Sequence, residues 1–182
     1  MKIKMIAACC LVAVVAFFSG CSFGTQKKVD DLNENSGFVV GLLTPIEEAD
    51  FSDYGIIPGF GVTGYYDKKY GDWDADIGAV SACYVQYDVT SYPDYMSKKK
   101  YVTGIRVTDP EVSVYGYCVG DNADEYKAFL IDKGFKLDEE WDRIKRFENG
   151  KLLLRFSLEP ETQQITSISV EVDVTNCCGV IF

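Results

Sequence analysis

Histidine is absent from the 182 residues, which removes the commonest general base and a frequent metal ligand. Basic residues are outnumbered, 18 Lys+Arg against 28 Asp+Glu, for a formal charge of −10. Nucleic acid needs a basic stripe, so it is excluded as a partner. No apolar run reaches the roughly 18 residues that a membrane-spanning helix requires. Seven cysteines occur but no CxxC, and without histidine a zinc site would need four of them. With 47% hydrophobic and 14% aromatic residues the chain is too apolar for disorder, and its length suits one ordinary domain.

Residues 1–21 read MKIKMIAACCLVAVVAFFSGC. Lys2 and Lys4 form a short basic region, Met5–Phe18 is an apolar run, and the small residues Ser19 and Gly20 precede Cys21. The run is short for a bilayer but suits a secretory leader. Phe18-Ser19-Gly20-Cys21 resembles the lipobox of bacterial lipoproteins, with Phe18 where an aliphatic residue is usual. That resemblance implies a signal peptide over 1–20, cleavage before Cys21, lipidation of Cys21 (palmitate among its acyl chains), and an extracytoplasmic domain held at the cell membrane or outer membrane. Removing 1–20 takes away two lysines and no acid. The remaining surface is more acidic still, so the lipid rather than surface charge is expected to hold the protein. Residues 21–36 then read as the lipidated cysteine and a flexible tether, polar and turn-rich, and 37–182 as a single domain.

Within that domain the alternation of Tyr101, Thr103, Ile105 and Val107 predicts a strand, and Val112–Val119 a second one after the turn Thr108–Glu111. Asn122 with Glu125 three residues on fits a capping box. Ala123, Tyr126, Phe129 and Leu130 then share a helical face, and Gly134-Phe135 ends the helix, placing it at about 122–133. Asn149-Gly150 between Arg143–Glu148 and Lys151–Glu159 predicts a hairpin, with Leu152, Leu154, Phe156 and Leu158 on one face. Ile168, Val170, Val172 and Val174 predict a last strand. The sum is α+β: an antiparallel sheet with one main helix packed on one face. Gly120-Asp121, Gly134-Phe135 and the hairpin after them make 116–174 similar to a module of the SmpA/OmlA and beta-lactamase-inhibitor-protein-like group. That similarity implies a binding or assembly role. Upstream, Phe38–Leu43 reads as a strand, and Cys83, Val85, Tyr87 and Val89 alternate. Val85–Val107 and Leu152–Val172 read as corresponding sheet halves.

Candidate chemistry is sparse. Gly59–Gly64 matches GxGxxG, but Pro58 precedes it and no helix-length segment follows, so a glycine-rich strand or loop is expected. Asp72, Asp74 and Asp76 alternate as in a calcium loop, yet Ile77 and Cys83 stand where an EF-hand wants Gly and Glu; a weak calcium site or a solvated turn are the two readings. Nine of the twelve tyrosines lie from Tyr54 to Tyr101. Tyr65, Tyr66, Tyr70, Trp73, Tyr92 and Tyr95 are candidates for a protein-binding patch or a platform for sugar rings. Cys83, Cys118, Cys177 and Cys178 are candidate disulfide cysteines, with three possible pairings. No acid pair or Cys–His pair assembles a catalytic constellation. The expected function is a non-catalytic envelope lipoprotein that presents a protein-interaction domain, the alternative being a carbohydrate- or small-ligand-binding surface lipoprotein; no cofactor is expected beyond the weak calcium site.

Overall fold

The computed structural model describes residues 24–57, 63–67, 73–74, 79–80, 85–91 and 100–173. Eight strands form one antiparallel sheet in the order β1-β2-β5-β6-β10-β9-β8-β7. They are β1 (Tyr54–Ile57), β2 (Thr63–Asp67), β5 (Val85–Ser91), β6 (Lys100–Val107), β7 (Lys136–Trp141), β8 (Ile144–Asn149), β9 (Leu152–Glu159) and β10 (Gln164–Val172). A two-stranded ribbon, β3 (Trp73–Asp74) and β4 (Ala79–Val80), is inserted between β2 and β5. Helix α1 covers 24–34 and the main helix α2 covers Ala123–Asp132. The fold is α+β.

The order of elements repeats. Helix α1 precedes the meander β1-β2-β5-β6, and α2 precedes the meander β7-β8-β9-β10. The last strand of each half joins the two, with Val170 opposite Ile105 and Ile168 opposite Val107. The segments 85–107 and 152–172 are thus the closing hairpins of the two halves, side by side at the sheet centre. One core serves both. It includes Val85, Tyr87, Val89, Ile105 and Val107 from the first half and Leu152, Leu154, Phe156, Ile168 and Val170 from the second.

Residues 24–34 depart from the flexible tether expected over 21–36. They form α1, and its Val29 and Leu32 are wholly buried in the common core. Two apolar residues three apart make one helical stripe, enough to dock a short helix whose other positions are polar. Tyr115 Oη donates to Asp31 Oδ2 at 3.0 Å, and Lys133 at the end of α2 lies 3.4 Å from the same carboxylate. Residues 24–34 therefore belong to the folded domain.

Helix α2 is built as its sequence predicts. The Asn122 side chain accepts from the backbone N–H of Asp124 and Glu125, filling two of the donors a helix start leaves open. At the other end Phe135 N–H reaches Leu130 O and Gly134 N–H reaches Ile131 O, with Gly134 at φ +87°. This is a Schellman closure, and Leu130 and Phe135 are both buried beside it.

Two expected strands are absent. Over 38–43 the chain bends and turns instead, because Asn33 of α1 takes both backbone groups of Leu42: Nδ2 donates to its carbonyl at 3.0 Å and Oδ1 accepts its N–H at 2.9 Å. Over 112–119 the chain makes a tight turn, Val114 and Tyr117 exchanging backbone hydrogen bonds around Tyr115 and Gly116, both at positive φ. That is the pattern of a type I′ turn, which favours Gly but tolerates Tyr115 here because its ring packs against Phe129 and Phe135. The β8–β9 hairpin forms where expected, with a shift of one residue: Asn149 pairs with Leu152, so Gly150 and Lys151 are the turn. Only Gly150 has positive φ, the requirement of a II′ turn. The last strand ends at Val172, and Val174 lies outside the described residues.

Candidate docking face

In β9 the buried residues Leu152, Leu154, Phe156 and Leu158 alternate with Leu153, Arg155, Ser157 and Glu159. The first set faces the helices. The second faces the opposite side, where among the described residues no helix packs. Strand register extends that open face across the sheet. One row runs Glu139, Arg146, Arg155, Ser169, Arg106, Gln86 and Tyr66, ending at Gly55 on β1. The next row runs Glu148, Leu153, Glu171, Gly104, Asp88 and Gly64. Arginines therefore line one row and carboxylates the neighbouring one.

Over the second half this face is concave. Glu139, Trp141, Ile144, Arg146, Leu153, Arg155, Ser169 and Glu171 line a groove of about 430 Å³. Trp141 stands 59% exposed at one end, with Ile144 directly opposite it in the ladder. Arg146 is held from the edge strand, its Nε 3.3 Å from Asp138 and its Nη1 3.7 Å from Glu139. Arg155, one strand inward, is exposed and forms no ion pair among the described residues. Farther along, Gln86 Nε2 donates to Asp88 at 2.8 Å. Asp88 and Glu171 flank Gly104, where an added Cβ would come within 3.3 Å of Asp88.

Of the aromatic residues expected to form a patch, Tyr65 and Tyr66 fall on opposite faces of β2. Tyr66 lies on the open face but only 4% exposed, its ring over Gly55, where any Cβ would collide with it. Tyr65 points to the other side and stacks on Phe51 at 4.4 Å, beside Tyr87 and Tyr54. Both serve packing. Trp73 and Asp74 fall in β3; Tyr70, Tyr92, Tyr95, Asp72 and Asp76 lie outside the described residues. So do Cys21, Cys83, Cys177 and Cys178. Gly64 of the GxGxxG match sits in β2, and Gly59–Val62 lie outside the described residues. Cys118 is free, and burial, then Asp121 and Asp109, pushes its thiol up, so it stays protonated. Among the described residues no three of Asp, Glu or Cys come together as a metal site.

The groove was legible in part. The hairpin alternation that placed Leu152–Leu158 inside places Leu153 and Arg155 outside by the same parity. Trp141 at a hairpin turn is the other available signal. What the sequence does not carry is the lateral order of strands that sets Arg146, Arg155 and Arg106 in one row.

No family model matches this chain, and no curated protein matches it. Among solved structures it is similar to an extracellular protein containing a SCP domain from Bacillus anthracis str. Ames, at 12% identity and a TM-score of 0.43. The alignment covers 66% of this chain and 39% of that one, and it stops short of a shared fold.

Proposed function

We propose that the chain is a non-catalytic bacterial envelope lipoprotein, exported by residues 1–20, lipid-anchored at Cys21, whose domain binds a protein partner through the open face of its second half. The observation that carries the binding part is the groove: an exposed Trp141, the apolar Ile144 and Leu153, and Arg155, exposed and without an ion pair among the described residues, around one concavity. Trp and Arg are the residue types that dominate the centres of protein interfaces, because each brings large contact area or several donors on a stiff frame. A mixed row of arginines beside a row of carboxylates sets register rather than raw affinity, which suits a specific partner. The similarity of 116–174 to beta-lactamase-inhibitor-protein-like modules points the same way.

The test is crosslinking in the native host with tagged full-length lipoprotein, in wild-type form and as Trp141→Ala/Arg155→Glu. One dominant envelope protein, lost in the double variant, is the expected result. Partner capture that persists in the variant refutes the groove as the site. Recovery of glycan in place of a protein would move the function to carbohydrate binding. The anchor is tested separately: Cys21→Ser should leave the membrane fraction.

A further inference from the structure

The first described residue of helix α1, residue 24, lies three residues after Cys21. Three peptide steps span about 11 Å at most, so a lipid on Cys21 leaves the folded domain almost no slack. One turn into α1, Lys28 Nζ donates to Asn149 O at 3.4 Å, at the turn between β8 and β9. The anchor therefore belongs to one end of the sheet, the end carrying that turn.

Charge is unevenly divided between the two ends. Around the β8–β9 turn lie Lys27, Lys28, Lys133, Lys136 and Lys151, balanced by Asp30, Asp31, Asp132, Glu148 and Asp173. At the opposite end Asp121, Asp124 and Glu125 start α2, Asp142 sits in the β7–β8 turn, and Glu159 and Glu161 flank the β9–β10 turn. All six are exposed, and Arg143 is the cation in those turns. A chain of net charge −10 thus keeps lysines near its anchor and its densest acid far from it.

We infer that the lipid at Cys21 holds the domain end-on, with the Asn149–Gly150 turn and its lysines against the anionic headgroups of the same membrane. This rests on the lipid-anchored reading above. Lysines close to such a surface are attracted within a Debye length, while the acidic end is repelled. The strands then stand away from the bilayer and the groove opens sideways. Arg155 is five strand residues past Gly150, about 17 Å farther out. The partner is met side-on and near the membrane, by a protein that is itself at that surface.

The experiment uses the full, processed lipoprotein in phosphatidylethanolamine/phosphatidylglycerol vesicles that include a headgroup-quencher lipid. A fluorescent amino acid replaces either Lys136, at the anchor end, or Thr162, at the far turn; both are exposed. Quenching several-fold stronger at 136 than at 162, with the difference narrowing when phosphatidylcholine replaces phosphatidylglycerol, is expected. Equal quenching on a chain whose mass shows the lipid overturns the orientation alone. A ratio indifferent to phosphatidylglycerol overturns the lysine contact. A chain with no lipid mass and no retention on vesicles overturns the anchor and the orientation with it.

Discussion

Replacing Leu32 by Ala decides whether α1 is part of the domain. Its side chain is wholly buried, and the change removes three carbons from the core. At about 0.8 kcal/mol per buried carbon the transfer loss is about 2.4 kcal/mol. The residual cavity raises it to about 3 kcal/mol, inside the usual range for buried Leu→Ala. A leucine on a solvated tether would cost no more than about 0.5 kcal/mol. The two expectations differ by a large fraction of a domain's whole stability. Urea unfolding of the leaderless Cys21→Ser chain measures the difference. With m near 2 kcal/mol/M, Leu32→Ala should lower the midpoint by about 1.5 M at unchanged m. Glu34→Ala, on the exposed side of the same helix, should leave it in place. A Leu32→Ala midpoint indistinguishable from that control would refute the docked helix and return 22–36 to a tether.

Asn122→Ala should cost about 1 kcal/mol in the same assay, since two backbone donors lose their acceptor. Gly55→Ala should destabilise by about 1–3 kcal/mol through collision with the Tyr66 ring, and the cost should shrink when Tyr66 is also Ala. Glu140 is held at a pKa of about 2 by its hydrogen bonds to Lys145 and Lys127, against an ordinary 4.5. A depressed carboxyl stabilises the fold above its unfolded value and loses that contribution as pH falls through the folded one. The stability gap between wild type and Glu140→Gln should therefore narrow between about pH 4.5 and pH 2. Trp141→Ala should leave the urea midpoint unchanged, because the side chain is exposed, while weakening partner binding at least about tenfold in a titration with the purified partner.

Local signals in the sequence account for the elements that local chemistry determines. Asn122 and Gly134 mark α2 because a cap and a left-handed C′ residue act on their own neighbours. Asn149-Gly150 marks a hairpin for the same reason, while its register and turn type, with Gly150-Lys151 at the turn, are set by the strand pairing. The elements that escaped depend on distant partners. Helix α1 has a thin apolar stripe, Val29 and Leu32, that reads as polar linker until the core receiving it is known. The bends over 38–43 follow from Asn33 reaching Leu42, and the turn at Tyr115 from the rings of Phe129 in α2 and Phe135 beyond its C-cap. In the tyrosine-rich segment composition alone does not say which face a ring takes: strand parity sends Tyr65 inward and folds Tyr66 over Gly55.

The seating of Lys28 on Asn149 spans 121 residues of chain. Between them lie the first meander, α2, β7 and β8, all of which have to be synthesised before α1 can reach that turn. Within each half the strands pair with neighbours in sequence, whereas β6 with β10 and α1 with the β8–β9 turn join distant segments, the kind of contact that closes slowly. On the proposed anchoring at Cys21, the residue fixed to the membrane adjoins a helix whose packing depends on the far half of the chain.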